Sequence, residues 1–210
     1  TGPVDALIAA LNARGFRACG LFAPSLKGPA APWVRAELER HHPAAIVNAT
    51  AFSARDDSGA SPLDAPGCPV FQVALSTAQE AAWALAERGL SPADLAMHVV
   101  LPEVDGRLLA GVASFKSSGE IDPDLGYART LHRPHARRIA AIADKVSAWH
   151  RLGTTPAGER RIALILSTYP GRADQMAHAV GLDALASAET MLETLHPAGY
   201  DIAPGEPLAT

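Results

Sequence analysis

The sequence predicts an α/β fold: parallel-sheet βαβ units in two lobes joined by a long crossover helix. Three observations carry this. Short apolar runs alternate along the chain with longer segments of helical period, the pattern of strands covered by helices. The apolar runs are continuous rather than alternating, as strands buried on both faces must be. One long segment, from Arg137, carries Ile139, Ile142, Val146, Trp149 and Leu152 at spacings of three and four, an apolar stripe fit for a crossover element.

In chain order, strands are expected over 17–22, 44–48, 70–75, 97–101, 108–115 and 162–169. Helices are expected over 4–14, 31–41, 77–88, 137–152 and 183–195, with Ser76 and Asp183 as capping residues and Gly15 and Gly89 as terminators. Segments 53–69 and 117–133 are rich in Gly, Asp and Pro and lack apolar periodicity, which marks a loop and a linker. The domain reading is therefore a first α/β lobe at 1–116, a linker and crossover helix at 117–158, and the start of a second, truncated lobe at 159–210. The first helix reads as already under way at Thr1, so the sequence looks cut from a longer chain.

The 210 residues are 48% hydrophobic and 19% charged, enough apolar content for a real core. A net charge of -4 and scattered Lys and Arg give no footprint for nucleic acid. No apolar run approaches the roughly 20 residues of a membrane span. Cys19 and Cys68 form neither a disulfide framework nor a zinc spacing, and a cytoplasmic location is expected.

Ligands in open parallel sheets gather beyond the carboxyl ends of strands. That rule selects Asn48 and Phe52 after the second expected strand, Glu103 and Asp105 after the fourth, Lys116 after the fifth, and Tyr169 and Arg172 after the last. Glu103 and Asp105 are the sharpest pair, because two carboxylates can share a proton, act as general bases and offer hard oxygen ligands. Pro102-Glu-Val-Asp-Gly106 is equally good reverse-turn chemistry, so a plain turn competes with that reading. Lys116 and Arg172 suit carboxylate groups of a ligand. Seven of the eight His residues read as surface or tolerated positions, including His98 beside a strand and His132 at the linker; His178, in a loop on the expected ligand edge, is kept as a metal candidate. Neither GxGxxG nor a P-loop is present, so nucleotide binding gains no support.

The stretch Val99-Val-Leu-Pro-Glu-Val-Asp-Gly-Arg107, followed by Ser114-Phe115-Lys116, resembles the central signature of the family of CobN and magnesium-chelatase large subunits. Asn48-Ala-Thr-Ala-Phe52-Ser53, Pro69-Val-Phe-Gln-Val73, Ala82-Trp83 with Arg88-Gly-Leu90, Tyr169-Pro-Gly-Arg172 and Val180-Gly-Leu-Asp183 extend the resemblance over nearly the whole chain. Ser-Phe-Lys favours the cobalt-inserting branch over the magnesium branch. The loop 173–179 departs from the Gly-Arg-x-Gly-Asn-like stretch of the family, which bears on any role for His178.

The resemblance implies a slice of a metal chelatase subunit that inserts Co2+, as substrate, into a tetrapyrrole, hydrogenobyrinic acid a,c-diamide. ATP is then hydrolysed by separate AAA+ partner subunits and is not bound here. On that reading Glu103 and Asp105 are catalytic, Glu103 and His178 handle the metal, and Asn48, Phe52, Lys116, Tyr169 and Arg172 bind the tetrapyrrole. Two other readings stay open: a non-catalytic two-lobed binding module, and the magnesium-inserting branch of the family, which serves chlorophyll synthesis.

Overall fold

In the computed structural model, residues 2–166 and 183–202 are described, and they divide between two compact units, 1–150 and 151–210. Unit 1 is a four-stranded sheet carrying helices. The elements over residues 2–154 run α1 (Gly2–Asn12), α2 (Ala31–His41), β1 (Ile46–Asn48), β2 (Val70–Ser76), α3 (Glu80–Leu85), α4 (Pro92–Leu95), α5 (Leu101–Val104), β3 (Leu108–Asp122), β4 (Tyr127–Pro134) and α6 (Ala136–Thr154). The strand order is β1-β2-β3-β4: β1, β2 and β3 are parallel, and β4 is antiparallel to β3. The α/β class expected from the sequence is the class observed.

Each helix follows from a local pattern. In α1, Leu7 and Leu11 lie one turn apart and are buried together. α2 stops where His42 takes a left-handed conformation (φ 43) and its N–H closes on the Leu38 carbonyl. α6 buries Ile139, Ile142, Ala143 and Val146, the stripe read from the sequence, while Trp149 stays half-exposed and sets its edge on Phe71 with ring centroids 6.0 Å apart.

Side chains alternate along β2, so Phe71 and Val73 face one way and Val70, Gln72 and Ala74 the other. The first set packs with Leu7 and Leu11 of α1, Ile139, Ile142 and Val146 of α6, and Ala110 and Ala113 of β3. Full burial of a Val, Ile or Phe side chain is worth about 1.5–3 kcal/mol, so this layer is the main stabilising core of the unit. Val70 instead packs with Ala54 and Leu63, with Leu38 of α2 against them.

Four expectations need correction. Segment 97–101 is no strand: Pro92 to Val104 is one helical stretch in which Ala96–Val100 forms a π-turn between α4 and α5. Ser91 caps it by accepting the Asp94 N–H at 3.1 Å, with Pro92 at the first helical position. Pro102 has no N–H to return to the His98 carbonyl, and the Leu101 N–H reaches back five residues to Ala96, which is how the π-turn arises. Segment 117–133, read as a linker, is instead the far part of the β3–β4 hairpin, whose register runs from Ser114 opposite Pro134 to Asp122 opposite Tyr127. Polar side chains hid it, since most of β4 is exposed and no apolar alternation marks it. Segment 17–22 forms no strand, and the helix expected at 77–88 shortens to Glu80–Leu85.

In unit 2, α7 (Ala184–Leu195) is capped by Asp183, which accepts the Ala186 N–H at 2.9 Å, as expected. The described part of the expected strand 162–169, residues 162–166, has no regular structure.

Candidate functional site

Three polar groupings lie on or beside the sheet. The first closes β1. Asn48, 7% exposed, donates to Gln72 Oε1 at 2.7 Å and accepts from Thr50 N at 3.2 Å and Thr50 Oγ1 at 2.9 Å. Gln72 Nε2 in turn donates to the Thr50 carbonyl at 2.8 Å. Every polar group of this buried set has a partner, so the loop leaving β1 is held in one course.

That course ends at Phe52. Its φ of 68 puts a bulky residue in the left-handed region, and the residue is 57% exposed. The Phe52 N–H donates to the Met97 carbonyl at 2.8 Å, which ties the loop to the π-turn. Strain of this kind on a non-glycine residue persists only where the surroundings over-determine it, and such residues cluster at ligand sites.

The second grouping is built on Asp105, only 3% exposed. Its carboxylate accepts from Ser53 Oγ at 2.8 Å and Ala54 N at 2.7 Å, and Arg55 Nε lies 3.6 Å from Oδ1. Asp64 pairs with both Arg107 and Arg55. Arg107 is 6% exposed, and its Nε and Nη2 are buried without a hydrogen-bond partner. Asp105 therefore anchors the 53–55 loop. Glu103, two residues earlier, is exposed, and its backbone carbonyl accepts the Gly106 N–H at 2.8 Å. The two carboxylates stand in different environments and precede the amino end of β3, rather than following the carboxyl end of a strand. The segment that precedes them is helical, so neither carboxylate stands at a strand end.

The third grouping sits where β2 ends; of its residues the sequence points to Ser76, as a strand-end and capping position, and to Lys116. Asp94, fully buried, accepts from Ser76 Oγ at 3.0 Å, Thr77 N at 2.9 Å and Thr77 Oγ1 at 2.9 Å. One helical turn on, His98 lies in the π-turn, 7% exposed, with Nδ1 buried and unpartnered. On β4, half-buried His132 places Nδ1 3.2 Å from Ser114 Oγ, and Lys116 is its cross-strand neighbour. Burial lowers the His98 pKa; Asp94 opposes that shift and His132 adds to it. Burial also lowers the His132 pKa, Lys116 adds to the shift and Asp94 opposes it. Both imidazoles are thus held toward the neutral form at neutral pH. The readable signal was Ser91-Pro92 with Asp94, a helix start that puts Asp94 and His98 four apart on one face.

Of the seven residues selected for ligand chemistry besides Asp105, the structure ties Asn48 and Phe52 into one loop and puts Lys116 opposite His132. Glu103 lies apart from these in sequence on α5. Tyr169, Arg172 and His178 lie outside the described residues. Among the described residues no group of three or more His, Cys, Asp or Glu is arranged to hold a metal ion, and no helix is long and apolar enough to cross a membrane.

The family model described as CobN/Magnesium Chelatase matches residues 1–209. The chain belongs to the CobN/magnesium chelatase family. It is 36% identical over 206 residues to the aerobic cobaltochelatase subunit CobN of Sinorhizobium sp, covering 96% of this chain and 16% of that protein. It is 34% identical over 172 residues to the same-named subunit of Pseudomonas aeruginosa, covering 79% of this chain and 13% of that one. The catalytic subunit of cobaltochelatase from Mycobacterium tuberculosis superposes with a TM-score of 0.78 at 30% identity, over 97% of this chain and 17% of that structure. The chain thus spans about one sixth of the length of these CobN-family relatives.

Proposed function

We propose that this chain is part of the tetrapyrrole-binding large subunit of a cobaltochelatase, and that it lends part of the surface on which Co2+ is inserted into hydrogenobyrinic acid a,c-diamide. The observation that carries the reading is the match to relatives named as cobaltochelatase subunits along 96–97% of the chain. The site chemistry agrees with it. A chelatase must hold a large planar ring, remove protons from its nitrogens and bring a hydrated cation to them. Phe52 offers an exposed, rigidly held aromatic face for the ring. Lys116 suits one of its carboxylate arms. Exposed Glu103 is a hard anionic group able to draw a divalent cation. ATP hydrolysis belongs, on this reading, to separate AAA+ subunits in the cytoplasm.

The complete large subunit should bind hydrogenobyrinic acid a,c-diamide, read from the absorbance of the macrocycle, and insert Co2+ when the ATPase subunits and ATP are added. Phe52→Ala should weaken that binding about tenfold, or about 1.4 kcal/mol, an aromatic contact's worth. A complete subunit that ignores this tetrapyrrole would overturn the reading, and insertion of Mg2+ into protoporphyrin instead would move it to the magnesium branch.

A further inference from the structure

Ser76, Asp94, His98, Ser114, Lys116 and His132 come from four elements and gather against the ends of β2 and the middle of β3. Proteins leave very few buried polar nitrogens unpartnered, yet His98 Nδ1 is one of them. It lies in a π-turn, a feature found disproportionately at functional sites. Asp94 cannot be the working base, because its two oxygens already accept three hydrogen bonds and it has no exposure. It is a fixed anion at the root of the cluster. His132 is different: it is half-buried with Nδ1 3.2 Å from Ser114 Oγ, and in the tautomer that donates Nδ1–H to that hydroxyl oxygen the Nε2 lone pair is left to accept a proton, with no described residue bonded to it.

We propose that His132 is the proton-accepting residue of this face, oriented by Ser114 and backed by His98, and that it takes the protons a tetrapyrrole's inner nitrogens release as the metal enters. This rests on the chelatase reading and deepens it. In each transfer an inner N–H bond of the ring breaks and its electron pair stays on the ring nitrogen. The proton forms a new N–H bond at Nε2, leaving the ring one charge more negative and the imidazole one more positive. Water at the exposed edge of His132 then removes the proton and restores the neutral base.

The charged groups facing these rings fit that cycle. His98 feels Asp94 from its own helix and His132 from β4; His132 feels Lys116 from β3 and Asp94 from α4. Lys116 and burial favour the neutral imidazole that can accept a proton, and Asp94 keeps the imidazolium from being prohibitive.

The test uses the complete large subunit with its ATPase partners, hydrogenobyrinic acid a,c-diamide and Co2+. His132→Asn keeps a hydrogen-bonding group toward Ser114 but has no titratable nitrogen; His132→Gln replaces it if the Asn protein misfolds. The expected result is insertion slowed by about 10²- to 10⁴-fold, loss of the acidic limb of the pH–rate profile, and a tetrapyrrole Kd within about threefold of the parent. Unchanged insertion with unchanged acidic limb overturns this proposal alone. Loss of rate only in proportion to lost tetrapyrrole binding also overturns it, since it would mark a structural role. A parent subunit that binds no tetrapyrrole overturns the chelatase reading with it.

Discussion

Asp105 accepts the backbone N–H of Ala54 at 2.7 Å across 51 positions of sequence. With the Ser53 hydroxyl and Arg55 on the same carboxylate, that bond decides where the loop after β1 comes down. Asp105→Ala should destabilise this chain by about 3 kcal/mol, because the buried N–H of Ala54 would lose its acceptor and the Arg55 guanidinium its buried counter-charge. Asp105→Asn should cost about half as much, since one amide oxygen can still accept. Urea denaturation midpoints of the three proteins check this, and equal midpoints would show that the anchor carries no stability.

What the sequence made legible, and what it did not, divides on one physical line. Val70–Ser76 and the stripe of α6 were readable because burial on a continuous apolar pattern leaves a periodic mark. The helix carrying His98 was misread because Met97-His-Val-Val-Leu101 is apolar and β-branched, and only its tertiary setting, with the Ser91 cap upstream, makes it helical. The same error hid the third polar grouping. Asp94 and His132 lie 38 residues apart, and nothing local says that β4 folds back beside β3 to bring them to one face. Asn48, Phe52, Lys116 and Asp105 all come from the strand-end rule, but the segment before Asp105 is helical and its carboxylate is engaged by Ser53, Ala54 and Arg55.

The two depressed imidazoles give a signed pH dependence. A His whose folded pKa lies below its unfolded value of about 6.5 costs nothing when both states are neutral. As pH falls through 6.5 the unfolded chain takes up protons that the folded chain refuses, so stability drops until the folded pKa is passed. Part-buried Glu37 and exposed Asp56 and Asp144 are lowered by hydrogen bonds from Arg40, Ser58 and Arg14, and their stabilisation is lost only as pH falls below about 4.5. Between pH 7 and 5, then, the slope should belong to the histidines. Denaturation midpoints should fall across that window, and the His98→Gln, His132→Asn double variant should flatten the decline; an equal decline in the double variant would assign it elsewhere.

Glu103 is exposed on α5, and the turn that follows it is made by its backbone carbonyl and by Gly106 at φ 81, not by its side chain. Glu103→Gln therefore leaves the turn intact and removes only a negative charge and a hard oxygen anion. If that carboxylate draws Co2+ toward a bound ring, the complete subunit carrying Glu103→Gln should need about tenfold more Co2+ for half-maximal insertion, equivalent to about 1.4 kcal/mol, while its tetrapyrrole Kd and its Tm stay where they were. The effect should shrink as salt is raised, because an exposed charge acts through a screened field. This pattern differs from the one expected of His132, which acts on rate and on the acidic limb rather than on the demand for metal. Titrating Co2+ at fixed tetrapyrrole, at low and at high ionic strength, reads the two apart. An unchanged Co2+ requirement at low salt would remove Glu103 from the metal's path and leave it as the exposed last turn of a helix.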